Sequence, residues 1–127
     1  MRILVIDDDN DTREIISVVL AAEGHEVRGA GDGVTALAEL RHGGRPSLIL
    51  LDMMMPRLDG EGFMKALRSD PSLADIPVVI LTAHPAARKK AAELGAAGCL
   101  LKPVELVDLV DLITSVERTQ LGPTARP

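Results

Sequence analysis

The chain has 127 residues and a formal net charge of −5, with 46% hydrophobic and 26% charged residues, which indicates one ordinary folded domain with its own core. An acidic chain whose only aromatic residue is Phe63 lacks the basic face and the stacking rings of nucleic-acid-binding proteins, so we expect no direct binding of nucleic acid. The single cysteine, Cys99, excludes an internal disulfide and is typical of a reducing compartment.

The apolar segments predict neither a membrane protein nor a secreted one. The longest nearly continuous apolar stretch, residues 15–22, is far shorter than a bilayer span. Three aspartates directly follow the first apolar run, which is unlike a signal peptide. We therefore expect a soluble cytoplasmic protein with no membrane contact.

Short apolar runs alternate with helix-length amphipathic segments along the chain. Such runs are typical of buried parallel strands, whereas the polar residues Glu26 and Arg28 place the second strand at a sheet edge. The predicted strands cover residues 2–6, 25–30, 48–52, 77–81 and 98–101. The predicted helices cover residues 10–23, 33–42, 60–69, a segment with Pro85 in its first turn and Gly95 after its end, and residues 104–118.

Apolar side chains at helical spacing predict the buried faces of these helices. In the first helix they are Ile15, Ile16, Val19 and Leu20. In the fourth helix they are Ala87, Ala91 and Leu94. In the last helix they are Leu106, Leu109, Val110 and Ile113.

Five β-α units with right-handed crossovers predict an α/β fold, a three-layer doubly wound (βα)5 sandwich of the flavodoxin-like kind. With the first strand central and the second at an edge, the parallel sheet order is 2-1-3-4-5. We expect this domain to cover residues 1–118. Residues 119–127 contain Gly122, Pro123 and Pro127 and are predicted to be a flexible C-terminal tail or a truncated linker.

Reactive residues directly follow four of the apolar runs. They are Asp7 and Asp8 after the first, Asp52 after the third, Thr82 after the fourth and Lys102 after the fifth. Because the carboxyl ends of parallel strands meet at one crevice, these side chains should converge. Carboxylates about 4 Å apart repel by roughly 4 kcal/mol at an effective dielectric near 20, so the cluster needs a cation or protons. Oxygen ligands with open positions suit Mg²⁺, and the set suits metal-assisted phosphoryl transfer onto a carboxylate.

Each of these residues also has a simpler interpretation. Taken alone, Thr82 is an ordinary strand residue and Lys102 an ordinary surface lysine, and only their joint placement beside the aspartates favours a site. Asp9 and Asp11 are interpreted as a helix cap and a surface residue. Residues 29–34 resemble a dinucleotide fingerprint but end in valine instead of glycine and follow the second strand, so no organic cofactor site is predicted.

The chain resembles the receiver domain of bacterial two-component response regulators, the CheY-like family, over about residues 2–118. Several short motifs carry the resemblance, in the order and at the spacing found in that family. They are Ile6-Asp7-Asp8-Asp9, Ala30-Gly31-Asp32-Gly33 with Ala36-Leu37, Leu51-Asp52-Met53-Met54-Met55-Pro56 with Asp59-Gly60, Leu81-Thr82-Ala83, Gly95-Ala96 and Leu101-Lys102-Pro103.

The resemblance implies that Asp52 accepts a phosphoryl group from a sensor histidine kinase or a phosphotransfer protein. It implies a Mg²⁺ ion, with Mn²⁺ as the alternative. The implied ligands are Asp8, Asp52, the Met54 backbone carbonyl and, through water, Asp7. The implied phosphoryl-contact and switch residues are Thr82, Ala83 and Lys102.

In the resembled family the phosphorylated domain switches a surface that binds a downstream effector domain or protein. The resemblance implies a phosphoacceptor that assists its own phosphoryl transfer and hydrolysis, not a metabolic enzyme. A homodimer through the fourth helix, fifth strand and fifth helix is left open.

One position departs from the family pattern. Three residues before the lysine, where Tyr or Phe usually partners the Thr82 hydroxyl during switching, this chain has Cys99, so the usual switch is in question. A pseudo-receiver that binds proteins independently of phosphorylation is therefore an alternative. A hydrolase of the haloacid dehalogenase type is disfavoured, because it needs a second acid where Met54 stands.

Overall fold

The structure is a computed structural model that describes residues 1–54 and 59–121. Strands and helices alternate along these ranges. The strands are β1 (Arg2–Ile6), β2 (Glu26–Ala30), β3 (Leu48–Asp52), β4 (Val78–Thr82) and β5 (Gly98–Leu101). The helices are α1 (Asn10–Ala22), α2 (Gly33–His42), α3 (Gly60–Ser69), α4 (Ala87–Glu93) and α5 (Leu106–Leu121).

The strands form one parallel sheet in the order β2-β1-β3-β4-β5, which confirms the predicted doubly wound α/β fold. At the end of β1, Ile6 is aligned with Ala30 on β2 and with Leu51 on β3. At the end of β4, Thr82 is aligned with Leu101 on β5. The carboxyl ends of the strands therefore lie side by side, so the residues that follow them share one edge of the sheet.

The core consists of two apolar layers, one on each face of the sheet. Because successive side chains of a strand point to opposite faces, Leu4 of β1 joins the layer of Phe63 on α3, and Ile3 joins the layer of Ile113 on α5. All residues of β3 and β4 are buried. Each large apolar side chain buried in this way contributes about 1.5–3 kcal/mol, which holds the strand ends in place.

Aspartates begin three of the helices. The Asp9 carboxylate accepts hydrogen bonds from the backbone of Asp11 and Thr12, which confirms Asp9 as the cap of α1. Asp32 accepts from the Thr35 backbone at the start of α2, and Asp59 caps α3. Replacing such a cap by alanine costs about 1 kcal/mol, so these residues help to fix where the helices start.

Two predicted core positions are wrong. Ile15 is 55% exposed, whereas its neighbours Ile16 and Leu20 are buried against the sheet. Leu106 is 41% exposed, whereas Leu109 is fully buried. Each helix has one narrow line of contact with the sheet, and Ile15 and Leu106 lie beside that line.

Some helix ends also differ from the prediction. Helix α1 ends at Ala22 with Glu23 as its C-cap, and α4 begins at Ala87, so Pro85 lies in a turn before the helix instead of in its first turn. Helix α5 begins at Leu106, not at residue 104, and residues 119–121 of the predicted tail still belong to it. The rest of that tail, residues 122–127, and residues 55–58 of the loop after β3 lie outside the described ranges.

Candidate functional site

The loop after β1 places one buried and one exposed carboxylate beside each other. The Asp7 backbone N–H donates to the Ala30 oxygen at 3.1 Å, which extends the β1–β2 pairing by one residue. The Asp7 side chain is fully buried and accepts from the Asp9 N–H at 2.9 Å. Asp8 is exposed, so its carboxylate faces solvent at the mouth of the crevice.

Asp52 is the last residue of β3, and its carboxylate lies just inside the surface. The residue is 4% exposed, and its Oδ1 accepts from the Met54 N–H at 3.2 Å. Helix α3 begins in close contact with Met53. A Cβ on Gly60, the first residue of α3, would lie only 2.8 Å from Met53 Cα. Only glycine allows that approach, which explains the Asp59-Gly60 pair found in the sequence. Met53, directly after the phosphoacceptor candidate, is thus in contact with the first residue of α3.

Lys102, at the end of β5, reaches back across the sheet edge to both buried acids. Its Nζ lies 3.0 Å from Asp7 Oδ2 and 3.4 Å from Asp52 Oδ2. Its backbone N–H donates to the Thr82 oxygen at 2.7 Å, which ties the lysine to the neighbouring strand end. The Lys102–Pro103 peptide bond is cis.

Carboxylate oxygens of Asp7, Asp8 and Asp52 all lie within 4.8 Å of one another. Burial and the nearby charge of Asp7 raise the pKa of Asp52 to about 6, although the Lys102 ammonium acts in the opposite direction. Burial acts to lower the pKa of Lys102, but the two carboxylates outweigh it and the pKa is raised. The site therefore contains more negative charge than one ammonium neutralises. An oxygen-only donor set of this kind fits a hard divalent cation such as Mg²⁺.

The remaining predicted residues lie around this cluster. Thr82 is buried, and its Oγ1 accepts from the His84 N–H at 3.1 Å. Ala83 and Met54 are exposed beside the crevice, Met54 at 65%. Cys99 is half-buried in β5 and packs against the α3 side of the core, and burial raises the pKa of its thiol. The strand ends therefore bring the aspartates, Thr82 and Lys102 together, whereas Cys99 lies further back in its strand.

Sequence reasoning missed Arg13, which contacts the site from α1. Its Nη1 donates to the Asp7 backbone oxygen at 2.6 Å, and its Nη2 donates to Asn10 Oδ1 at 2.5 Å. Two features of the sequence could have indicated this role. Arg13 lies near a helix N-terminus, where the macrodipole disfavours positive charge, and Gly29 lies within the edge strand, where a glycine often marks the close approach of another group.

The chain belongs to the response regulator receiver domain family, whose family model matches residues 3–114. It is therefore a receiver domain of two-component signalling rather than a metabolic enzyme. Phosphorylation on aspartate is typical of this family, and its members typically bind Mg²⁺.

Specific relatives are full-length regulators and single receiver domains. The chain is 41% identical over 120 residues to the response regulator MprA of Mycobacterium leprae, covering 93% of this chain and 51% of that protein. It is 40% identical over 122 residues to the response regulator PleD of Caulobacter vibrioides, covering 94% of this chain and 27% of that protein. The solved chemotaxis response regulator CheY4 of Vibrio cholerae superposes with a TM-score of 0.84 at 32% identity, covering 91% of this chain and 97% of that chain.

The chain thus spans about half or less of the length of these curated relatives. In the described parts of the chain, no helix combines the length and the apolar character needed to cross a membrane.

Proposed function

We propose that this receiver domain accepts a phosphoryl group on Asp52 from a sensor histidine kinase or a phosphotransfer protein, and that this switches a surface for a downstream effector. The observation that supports this best is the environment of Asp52. Its carboxylate is nearly buried within a cluster of three acids, and Lys102 lies 3.4 Å away. A carboxylate between a cation and an open acidic face is suited to accept a phosphoryl group once a divalent cation offsets the remaining carboxylate charge.

Mg²⁺, or Mn²⁺ in its place, fits the carboxylate set. The proposed ligands are Asp8, Asp52 and the Met54 backbone carbonyl, with Asp7 acting through water. When bound, the ion supplies positive charge that offsets the carboxylates and the phosphoryl oxygens. Asp52 would bind the ion and attack phosphorus as the deprotonated carboxylate, the form that a nearby cation favours.

The chain's own residues carry the transfer. An oxygen of Asp52 forms the new bond to phosphorus while the bond to the donor's imidazole nitrogen breaks, and that nitrogen keeps the electron pair. Lys102 is placed to pair with a phosphoryl oxygen, and the Thr82 hydroxyl can donate to another. In the hydrolysis that the domain would assist, water attacks phosphorus and Asp52 leaves as a carboxylate.

The alternatives have less support. A binding module independent of phosphorylation would not need Asp52 and Lys102 in contact distance, and none of the relatives described above points to it. A hydrolase would need an acid at position 54, where this chain has Met54, whose side chain is apolar and 65% exposed.

We propose that α4, β5 and α5 form the surface that binds the effector and, where the chain dimerises, the dimer interface. The partners proposed here would meet the domain in the cytoplasm.

Intact-mass spectrometry with acetyl phosphate tests the proposal. The wild type should gain one phosphoryl group with Mg²⁺ and little without it, and Asp52→Asn should gain none. Asp59→Asn is the control, because Asp59 is an acid of the neighbouring loop whose carboxylate caps α3, and asparagine caps helices equally well. Equal phosphorylation of Asp52→Asn and the wild type would refute the proposal.

A further inference from the structure

Arg13 joins the loop that carries the acids to the edge strand of the sheet. Its guanidinium donates to the backbone oxygen of Asp7 at 2.6 Å and to Asn10 Oδ1 at 2.5 Å. The arginine is half-buried, and it extends from the first turns of α1 across the end of β2. It therefore contacts the main chain of the acidic loop without being near enough to Asp52 to form an ion pair with it.

The carbonyl that Arg13 holds belongs to the peptide group between Asp7 and Asp8. Because a peptide group is planar, fixing this oxygen fixes the direction in which the chain enters Asp8. The other side of Asp7 is fixed by its N–H, which donates to the Ala30 oxygen at 3.1 Å. With both backbone groups of Asp7 bonded, the main chain that carries the two carboxylates is held in one direction before any ion binds.

Two glycines of the edge strand region make room for the arginine. A Cβ on Gly29 would lie 3.0 Å from Arg13 Cδ and 3.3 Å from both its Cγ and its Nε. A Cβ on Gly31 would lie 3.6 Å from Nη1, an ordinary contact. A Cβ at position 29 would therefore force the arm of Arg13 to shift by a few tenths of an ångström, and a branched side chain there would displace it further, although the guanidinium would keep its charge.

We propose that Arg13 is a positioning residue for the metal ligands, held over Gly29, and that it orients Asp7 and Asp8 through the peptide group between them. The inference deepens the proposed function, since it concerns Mg²⁺ binding by the same acids. It applies to the metal-binding step alone, which can be measured without any phosphoryl donor.

Mg²⁺ affinity, measured by calorimetry on the whole chain, is the primary readout. Partners that orient ligands typically account for 10–100-fold in metal affinity, so Arg13→Ala should raise the Kd for Mg²⁺ by about tenfold. Arg13→Lys, which keeps the charge and one donor group, should recover part of the loss. Gly29→Val should also weaken binding, and it should add little to Arg13→Ala, because both remove the same contact.

Arg28 provides the matched control. It is a half-buried arginine next to Gly29 whose guanidinium pairs with Glu39 and donates to the backbone oxygens of Gly43 and Gly44, away from the site. Arg28→Ala should lower the free energy of unfolding by a similar amount, yet leave the Kd for Mg²⁺ within about twofold. If Arg13 had only a structural role, Arg13→Ala and Arg28→Ala would have similar effects on the free energy of unfolding and on the Kd for Mg²⁺.

The outcomes are distinct. Weaker Mg²⁺ binding in Gly29→Val and Arg13→Ala, without additivity and with Arg28→Ala unchanged, supports the proposal. Unchanged affinity in Gly29→Val overturns it even where Arg13→Ala is too unstable to measure, and full additivity of the two changes overturns it where both variants can be measured. If the wild type binds Mg²⁺ but never accepts a phosphoryl group, the proposed function fails, while the test of Arg13 still gives an answer.

Discussion

The ammonium of Lys102 lies 3.0 Å from a carboxylate oxygen of Asp7, although 95 positions separate the two residues in the chain. The same ammonium lies 3.4 Å from Asp52. Of the three carboxylates that lie within 4.8 Å of one another, two therefore pair with this ammonium, and the carboxylates carry more negative charge than the ammonium neutralises before any metal binds. This relationship determines how the domain should respond to changes of charge and of pH.

Removing the lysine charge should destabilise the metal-free protein. Lys102→Gln leaves Asp7 and Asp52 buried without their counterion, so we expect the free energy of unfolding at neutral pH to fall by about 1–3 kcal/mol, the cost of leaving a buried acceptor without its partner. Lys65→Gln is the control, because Lys65 pairs with Glu61 on the surface, where such a pair contributes less than about 1 kcal/mol. Urea denaturation measures the free energy of unfolding of both variants. An equal loss in Lys102→Gln and Lys65→Gln would mean that Lys102 is not the counterion of the site.

The raised pKa of Asp52 predicts how stability depends on pH. Folding raises that pKa from 3.8 to about 6, so the folded state binds a proton more tightly than the unfolded state. Stability of the metal-free protein should therefore fall as pH rises from about 4 to 6, by about 2–3 kcal/mol from this group. The difference in unfolding free energy between wild type and Asp52→Asn isolates the effect. A difference that does not change across this pH interval would contradict it.

Two neighbouring aspartates should differ in metal binding. Asp8→Asn removes a carboxylate from the acid cluster and should weaken Mg²⁺ binding, while stabilising the metal-free fold by removing a repelling charge. Asp9→Asn should change Mg²⁺ affinity little, since Asp9 caps α1 and asparagine caps helices equally well. Calorimetric titration of both variants decides the matter, and equal affinities would overturn the assignment.

Much of this fold could be predicted from the sequence because its strands are unusually uniform. The buried runs before Asp52 and Thr82 contain almost no polar residues, as expected for central strands covered on both faces. The polar residues of β2 marked it as an edge, and that one inference determined the sheet order. The site followed from the same reasoning, since the strand ends had to converge.

Features that depend on contacts between distant segments could not be predicted. Ile15 and Leu106 share the apolar periodicity of their helices, but only the docking angle decides which residues reach the sheet. Arg13 acts through packing on Gly29, sixteen positions later in the chain. Residues 119–121 are helical although the composition of the segment that they begin predicted a tail, and none of the three is a glycine or a proline.

The switch should act mainly through the loop after β4. Phosphorylation places a dianion beside Thr82, whose hydroxyl now accepts from the His84 N–H, and a charge-assisted hydrogen bond should draw that hydroxyl toward Asp52. Cys99 is small and half-buried, so less apolar free energy depends on its position than on that of an aromatic ring. We expect large amide chemical-shift changes over residues 82–88 and small ones over residues 99–101. Changes centred on Cys99 and equal to those at Thr82 would show that the switch acts through β5.

Locating the phosphoryl group within the chain tests the account most directly. Borohydride reduces an aspartyl phosphate to homoserine, so peptide mapping after reaction with acetyl phosphate and Mg²⁺ identifies the modified residue. We predict homoserine at residue 52 and intact aspartate at Asp7 and Asp8. Homoserine at either of those positions, or at no aspartate of a protein that has gained a phosphoryl group, would contradict the assignment of Asp52 as the phosphoacceptor.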